Sequence, residues 1–118
     1  MLEQITIMIM SGVDDGDIMT LRSESEGVRT DTQWLITVGR RDDNDLCLRN
    51  DTFVSRSHAN LIWRDAGLWL EDKDSTNGTF LENDNDFFVD ERVRGSVPIE
   101  FGQLFRLGRT WLRIQVAS

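Results

Sequence analysis

Three short segments concentrate the side chains of this 118-residue chain that could do chemistry: Gly39-Arg40, Ser55-Arg56-Ser57-His58-Ala59 and Ser75-Thr76-Asn77-Gly78-Thr79. All are turn-prone, rich in hydroxyls and backbone donors, and set beside apolar alternating runs. Small polar donors on loops held by a rigid sheet can grip an anion without any cofactor. A phosphate-reading surface is the first expectation, and an enzyme is the weaker one.

Gly39 lets the backbone turn tightly or approach another segment where a side chain would clash. Arg40 then offers a rigid fork of donors suited to phosphate oxygens; its bland alternative is a surface ion pair with Asp42 or Asp45. Ser55 can donate its hydroxyl, the loop around it its N–H groups, and Arg56 a second charge. Thr76 adds another hydroxyl and Gly78 supplies a positive φ. Asn77, at a loop tip, can bond the main chain of a peptide laid across it, unless it only closes an Asx-turn.

Catalytic readings fit these residues less well. Ser55 with His58, and Asp72 or Asp74 as a third member, imitates a nucleophile triad. Yet serine and histidine sit three apart on one segment, with no strand-turn-helix elbow and no Gly-rich oxyanion turn. One histidine and one cysteine exclude zinc clusters. Glu82-x-Asp84-x-Asp86 begins like a calcium loop, but Phe87 stands where glycine is required and Val93 where glutamate is required. A Walker-type phosphate loop is absent, so no metal or cofactor is expected.

The elements that must position these loops are strands. Ile5, Ile7 and Ile9 alternate, as do Leu46 and Leu48, Leu68 and Leu70, Phe105 and Leu107, then Leu112, Ile114 and Val116. Period-two runs of this kind read as half-buried strands. Trp34 to Val38 forms another run ahead of Arg40. Asp65-Ala66-Gly67 reads as a hairpin loop, and Pro98 is placed at the start of the penultimate strand pair. No helical period emerges, and frequent glycine turns between short strands mean a β-sandwich or barrel. Ser11 to Thr32 reads as a long acidic loop around one short strand near Ile18 to Leu21. Glu82 to Gly95 is an acidic stretch interrupted by Phe87-Phe88-Val89, which is either a short edge strand or an exposed patch.

Size and charge narrow the partners. The length suits one domain, 1–118, with its own core, whether whole or a module of a longer protein. A net charge of −8 argues against nucleic acid, which needs clustered Lys and Arg. It also opposes an anionic ligand on average. However, Arg40, Arg41, Arg56 and Lys73 fall in or beside the candidate loops, and charges beyond a Debye length of about 8 Å are largely screened. The longest apolar stretch, Ile5 to Met10, is far short of the roughly 20 residues of a membrane-spanning helix. The first residues lack a basic secretory start. A single cysteine, Cys47, permits no internal disulfide and is read as a small packed residue; a cytoplasmic location is the expectation.

Together these motifs resemble the forkhead-associated (FHA) domain: Gly39-Arg40, Asp45-Leu46-Cys47-Leu48, Val54-Ser55-Arg56-Ser57-His58-Ala59, Asp72, and Ser75-Thr76-Asn77-Gly78-Thr79-Phe80, with Phe105-Arg106-Leu107-Gly108 near the end. The resemblance implies an all-β sandwich of about eleven strands with binding loops at one end. It implies a non-catalytic signalling adaptor for phosphothreonine peptides, in which Arg40 and Ser55 hold the phosphate. Thr76 and Arg56 assist, Asn77 bonds the peptide main chain, and Gly39, His58 and Gly78 support the loops. Arg41, Phe53 and Lys73 are candidates for reading the peptide flanks, Phe53 as an apolar contact. The implied partner is a phosphothreonine-bearing protein, such as a Ser/Thr kinase or its substrate. A phosphorylated copy of the chain would give oligomers, with Thr20, Thr30 and Thr32 as acceptors. The chain departs from the family in a longer connection at Asn83–Asp90, which could reshape the peptide groove. The alternative is an FHA-fold interaction or self-assembly module that needs no phosphate.

Overall fold

The computed structural model describes residues 2–82 and 90–116. Twelve strands occur among them: β1 (Gln4–Ser11), β2 (Ile18–Arg22), β3 (Val28–Arg29), β4 (Gln33–Gly39), β5 (Leu46–Cys47), β6 (Ala59–Arg64), β7 (Gly67–Asp72), β8 (Thr79–Leu81), β9 (Glu91–Arg92), β10 (Ser96–Ile99), β11 (Leu104–Leu107) and β12 (Thr110–Val116). They form two sheets, one ordered β2-β1-β12-β11-β8-β9 and the other β10-β7-β6-β4-β3, with β5 pairing β4 in parallel. Every other pairing is antiparallel. This is the all-β sandwich the alternation predicts, and no helix is present among the described residues to cross a membrane.

The core lies where the period-two runs direct it. Ile5, Ile7, Ile9, Leu81, Phe105, Leu107, Leu112 and Ile114 of one sheet meet Trp34, Ile36, Val38, Leu61, Leu68, Leu70 and Ile99 of the other, all buried. Alternate residues face outward and pair across strands. Val28, Leu35, Ile62, Trp69 and Pro98 fall in one register row over five strands, and the Arg64 guanidinium lies 4.6 Å from the Trp69 ring. On the opposite outer face Arg92, Phe80, Arg106 and Trp111 form a second row, in which Arg106 packs 4.3 Å from Phe80 and 5.6 Å from Trp111. Such cross-strand contacts add a few tenths to about 1 kcal/mol each.

Three local expectations change. The segment Ser11 to Thr32 holds two strands, because Val28–Arg29 pairs with Leu35 and Trp34; two residues are too few to show a period. Leu48 lies beyond β5, although it is buried. Pro98 belongs to β10, an edge strand paired only with β7, not to a pair with β11; an edge is where a missing N–H is tolerated. The Asp65-Ala66 turn, with φ of 51 and 58, makes a two-residue hairpin, and Gly67 already pairs with Arg64. Phe87-Phe88-Val89 and the Asp84 and Asp86 positions lie outside the described residues. Beyond them Glu91–Arg92 adds a short strand to β8.

Register places the three motifs at one end. Val38 pairs with Ala59, and Ala59 with Asp72, so the loop after β4, the loop before β6 and the loop after β7 emerge side by side. The turn joining β11 to β12 arrives at the same end, since Leu107 pairs with Thr79 at the start of β8.

Candidate functional site

The first two loops are zipped together by backbone bonds. Arg40 N–H donates to Ser55 O at 3.0 Å, Arg41 N–H to Arg56 O at 3.4 Å and His58 N–H to Val38 O at 2.9 Å. This explains Gly39: a Cβ there would sit 2.2 Å from Arg56 O and 2.8 Å from Asn44 Nδ2. Its role is close approach of two backbones. Asn44 completes the clasp by donating to Arg41 O at 3.0 Å and Arg56 O at 2.8 Å.

Arg40 Nε donates to Val54 O at 3.1 Å, which lays the guanidinium beside the Ser55 segment. Neither Asp42 nor Asp45 pairs with it. Asp42 is 3.1 Å from Arg49, and Asp45 accepts from Gly27 N–H, Thr37 N–H and Thr37 Oγ1. Arg41 is paired with Asp43 at 3.1 Å. Among the described residues no carboxylate pairs with Arg40 or Arg56, so both guanidiniums keep donors for a ligand. They line an open hollow of about 460 Å³ with Arg41, Asp42 and Asp43. The acidic neighbours are already paired to other arginines, which leaves this corner locally positive on an acidic protein.

The second and third loops share a hydroxyl and a histidine. Ser55 Oγ accepts the Thr76 N–H at 3.1 Å, which leaves its own proton free to donate. Asn77 Nδ2 donates to Phe53 O at 2.9 Å, bracing the tip against the Ser55 loop while Oδ1 stays available as an acceptor. Thr76 and Asn77 are exposed. The tip rests on Asp72, whose Oδ1 accepts from Ser75 Oγ at 2.5 Å and Thr79 Oγ1 at 2.7 Å. Gly78 has φ +87, a conformation that favours glycine. The Lys73 N–H bonds His58 O at 3.0 Å, and no carboxylate among the described residues pairs with its side chain.

His58 is 0% exposed. Its Nδ1 accepts from Ser55 N–H at 2.9 Å, so Nε2 carries the proton that it donates to Gly78 O at 2.9 Å. Burial pushes its pKa down from 6.5, opposed by the Gly78 bond and by the charges of Asp72 and Asp51. Both ring nitrogens are thus committed to backbone. The serine group that His58 touches is the amide, not the hydroxyl, so no nucleophile–base pair forms. Among the described residues no group of three or more His, Cys, Asp or Glu side chains could hold a metal. Cys47, half-buried, has its thiol 3.5 Å from Arg40 O.

Several residues that shape the site escaped sequence reasoning. Asp51 is 2% exposed and accepts from Phe53 N–H at 2.9 Å, Arg109 N–H at 2.8 Å and Thr110 Oγ1 at 2.7 Å. It ties the Ser55 loop to the β11–β12 turn, yet in the sequence it is one more loop acid. Asn44 is likewise an ordinary loop residue in the sequence. Arg92, from β9, brings its guanidinium to about 3.2 Å from the Cβ position of Gly78, beside Asn77. Arg109 lies 3.9 Å over the Phe53 ring. Arg92 is far from any motif along the chain, and Arg109 lies just past the Phe105–Gly108 run, outside the loops that the sequence marks for binding.

The family model for the FHA domain matches residues 36–108. This chain belongs to the FHA domain family. It is 32% identical over 80 residues to the FHA domain-containing protein FhaB of Mycobacterium tuberculosis, a match covering 68% of this chain and 46% of that protein. FhaB of Mycolicibacterium smegmatis matches to the same extent, so the chain spans less than half the length of these curated relatives. Solved FHA structures overlay nearly the whole chain. One, from work on phosphothreonine-dependent FHA domain interactions, has a TM-score of 0.69 and 27% identity and covers 98% of both chains. Another, the FhaA FHA domain complexed with the intracellular domain of Rv3910, has a TM-score of 0.67 and 28% identity and covers 94% of this chain and 99% of that one.

Proposed function

We propose that this FHA domain binds phosphothreonine peptides as a non-catalytic signalling adaptor. The reading rests on one observation above all. The Arg40 side chain, whose Nε donates to Val54 O, the Ser55 hydroxyl, which accepts the Thr76 N–H, and the Thr76 loop come from separate strand connections that meet at one end of the sandwich, where the Arg40 N–H is bonded to Ser55 O. A sandwich core requires none of these side chains, whereas a dianionic ester uses all of them. In this reading Arg40 and Ser55 hold the phosphate, with Thr76 and Arg56 assisting, and Asn77 Oδ1 accepts a peptide N–H. Gly39, His58 and Gly78 brace the loops, and Arg41 and Lys73 stand at the flanks. Family membership and the phosphothreonine-dependent interactions of a structural neighbour support it.

Charge-assisted hydrogen bonds contribute about 1.5–3 kcal/mol each. Three or four of them, less the ordering of a flexible peptide, give an affinity of roughly micromolar. Preference for phosphothreonine over phosphoserine rests on one methyl group, about 0.8 kcal/mol or fourfold. The partner is a Ser/Thr kinase, a kinase substrate or a phosphorylated copy of the chain, and the setting is a cytoplasmic kinase pathway. Titration calorimetry with a degenerate phosphothreonine library tests the reading. Arg40→Ala should weaken binding about 100-fold or more, and dephosphorylated peptides should not bind. Equal binding by parent and variant, or by phosphorylated and plain peptides, would replace this reading with a phosphate-independent interaction module.

A further inference from the structure

The turn between β11 and β12 brings to the peptide-reading end a cation that no sequence motif marks. Arg109 holds its guanidinium carbon 3.9 Å from the centre of the Phe53 ring, which is itself 39% exposed. The arrangement is built from beneath. The buried Asp51 carboxylate accepts Arg109 N–H at 2.8 Å and Thr110 Oγ1 at 2.7 Å with one oxygen, and Phe53 N–H at 2.9 Å with the other. The same residue, Phe53, offers its carbonyl to Asn77 Nδ2 at 2.9 Å. One buried acid therefore positions both partners of the stack, and the stack adjoins the asparagine that faces the peptide.

The charge of Arg109 is not spent within the fold. Among the described residues no carboxylate forms an ion pair with it, and Asp51 takes only its backbone N–H. A guanidinium already held over an aromatic ring loses little mobility when it binds a ligand, and it has N–H donors to offer. One face of Phe53, the residue that the sequence offers as an apolar contact, thus lies against a guanidinium.

We propose that Arg109, stacked on Phe53, is a specificity-determining residue that selects an acidic side chain in the bound phosphopeptide. The inference rests on the phosphopeptide reading and adds the class of sequence that surrounds the mark. The selected side chain lies within about four residues of the phosphothreonine, since an extended peptide advances about 3.3 Å per residue and Phe53 lies two residues from Ser55. Partly exposed ion pairs contribute modestly, so glutamate should be favoured over alanine about threefold and over lysine about tenfold, falling as salt is raised.

The test uses fluorescence anisotropy with phosphothreonine peptides that carry Glu, Ala or Lys at one position at a time, up to four residues on either side. The parent should show the tenfold Glu-over-Lys ratio at one or two neighbouring positions. Arg109→Met keeps the length and packing of the side chain without its charge, and should bring that ratio close to one. Arg109→Lys should retain most of it, which a merely structural cap on Phe53 would not require. Unfolding midpoints of both variants separate misfolding from lost selectivity. A parent indifferent to charge at every position, or an Arg109→Met variant that keeps the ratio, overturns the inference while phosphate-dependent binding stands. If the alanine peptide and its unphosphorylated twin bind alike, the phosphopeptide reading itself falls, and the role of Arg109 with it.

Discussion

The protein has a single histidine, and that residue joins the loop carrying Ser55 to the loop carrying Asn77 and Gly78. In the unfolded chain its imidazole titrates near 6.5; in the fold burial lowers that value. Between the two pKa values the unfolded state binds a proton that the native state refuses. Stability therefore rises with pH across that window, is fully present above about 6.5, and is lost as pH falls toward the folded pKa. One proton sets the slope at no more than about 1.4 kcal/mol per pH unit. From pH 6.5 to 5 the loss is thus at most about 2 kcal/mol, a large share of the 5–15 kcal/mol that holds a typical domain. Once the ring does protonate, Nδ1–H confronts the Ser55 N–H and the serine loop loses its anchor. Urea unfolding at pH 5 to 7.5 is the assay, because phosphopeptide binding also changes as the phosphate takes up its own proton near pH 6. The Glu26 carboxyl is held below its usual range by the Arg22 N–H and the Ser25 hydroxyl, so its contribution is lost only at still lower pH. His58→Phe keeps a ring without a titrating nitrogen and should flatten the pH slope while lowering stability at every pH, since Ser55 N–H and Gly78 O lose their partner. A parent whose unfolding midpoint stays level from pH 7 to 5.5, a slope that survives in His58→Phe, or a ring that titrates at or above 6.5 by NMR would refute the reasoning.

Two further outcomes concern the scaffold beneath the site. Asp51→Ala strands three donors, at Phe53, Arg109 and Thr110; at about 1–3 kcal/mol for each group left unsatisfied, the loss should be about 3–9 kcal/mol in urea unfolding, toward the lower end because two of the three bonds are part-buried, and a loss below about 1 kcal/mol would show that water replaces the carboxylate. Gly39→Ala forces a methyl to within 2.2 Å of Arg56 O and should cost about 1–3 kcal/mol or more, with amide shifts in a heteronuclear NMR spectrum spreading over residues 39–45 and 55–58; a spectrum unchanged at Arg56 and Asn44 would contradict the close approach.

The two sheets could be read from the chain because the period of apolar residues is local information. Ile5, Ile7 and Ile9 need no distant partner to declare a half-buried strand. Strands of two residues cannot do so. Val28–Arg29, Leu46–Cys47 and Glu91–Arg92 exist because a longer neighbour offers free N–H and C=O groups in register, which depends on how the sheet is assembled. The same distinction holds at the site. Arg40, Ser55, Thr76 and Asn77 stand out as candidates by residue type within short motifs. Asp51 looks like surface until the β11–β12 turn, 58 residues further on, presents its donors to it.

Residue type and spacing by themselves determined which loops could hold an anion, that strands rather than helices would carry them, and which family the chain resembles. Tertiary structure alone decided how charge is shared among the residues of that end: Asp42 and Asp43 are drawn off by Arg49 and Arg41, leaving Arg40 and Arg56 without an ion pair among the described residues, while Arg109 is laid on Phe53. The physical reason is range. Alternation and turn chemistry act between neighbours along the chain, whereas ion pairs and stacking act over a few ångströms of space, and only the packed sandwich brings together residues that lie dozens of positions apart.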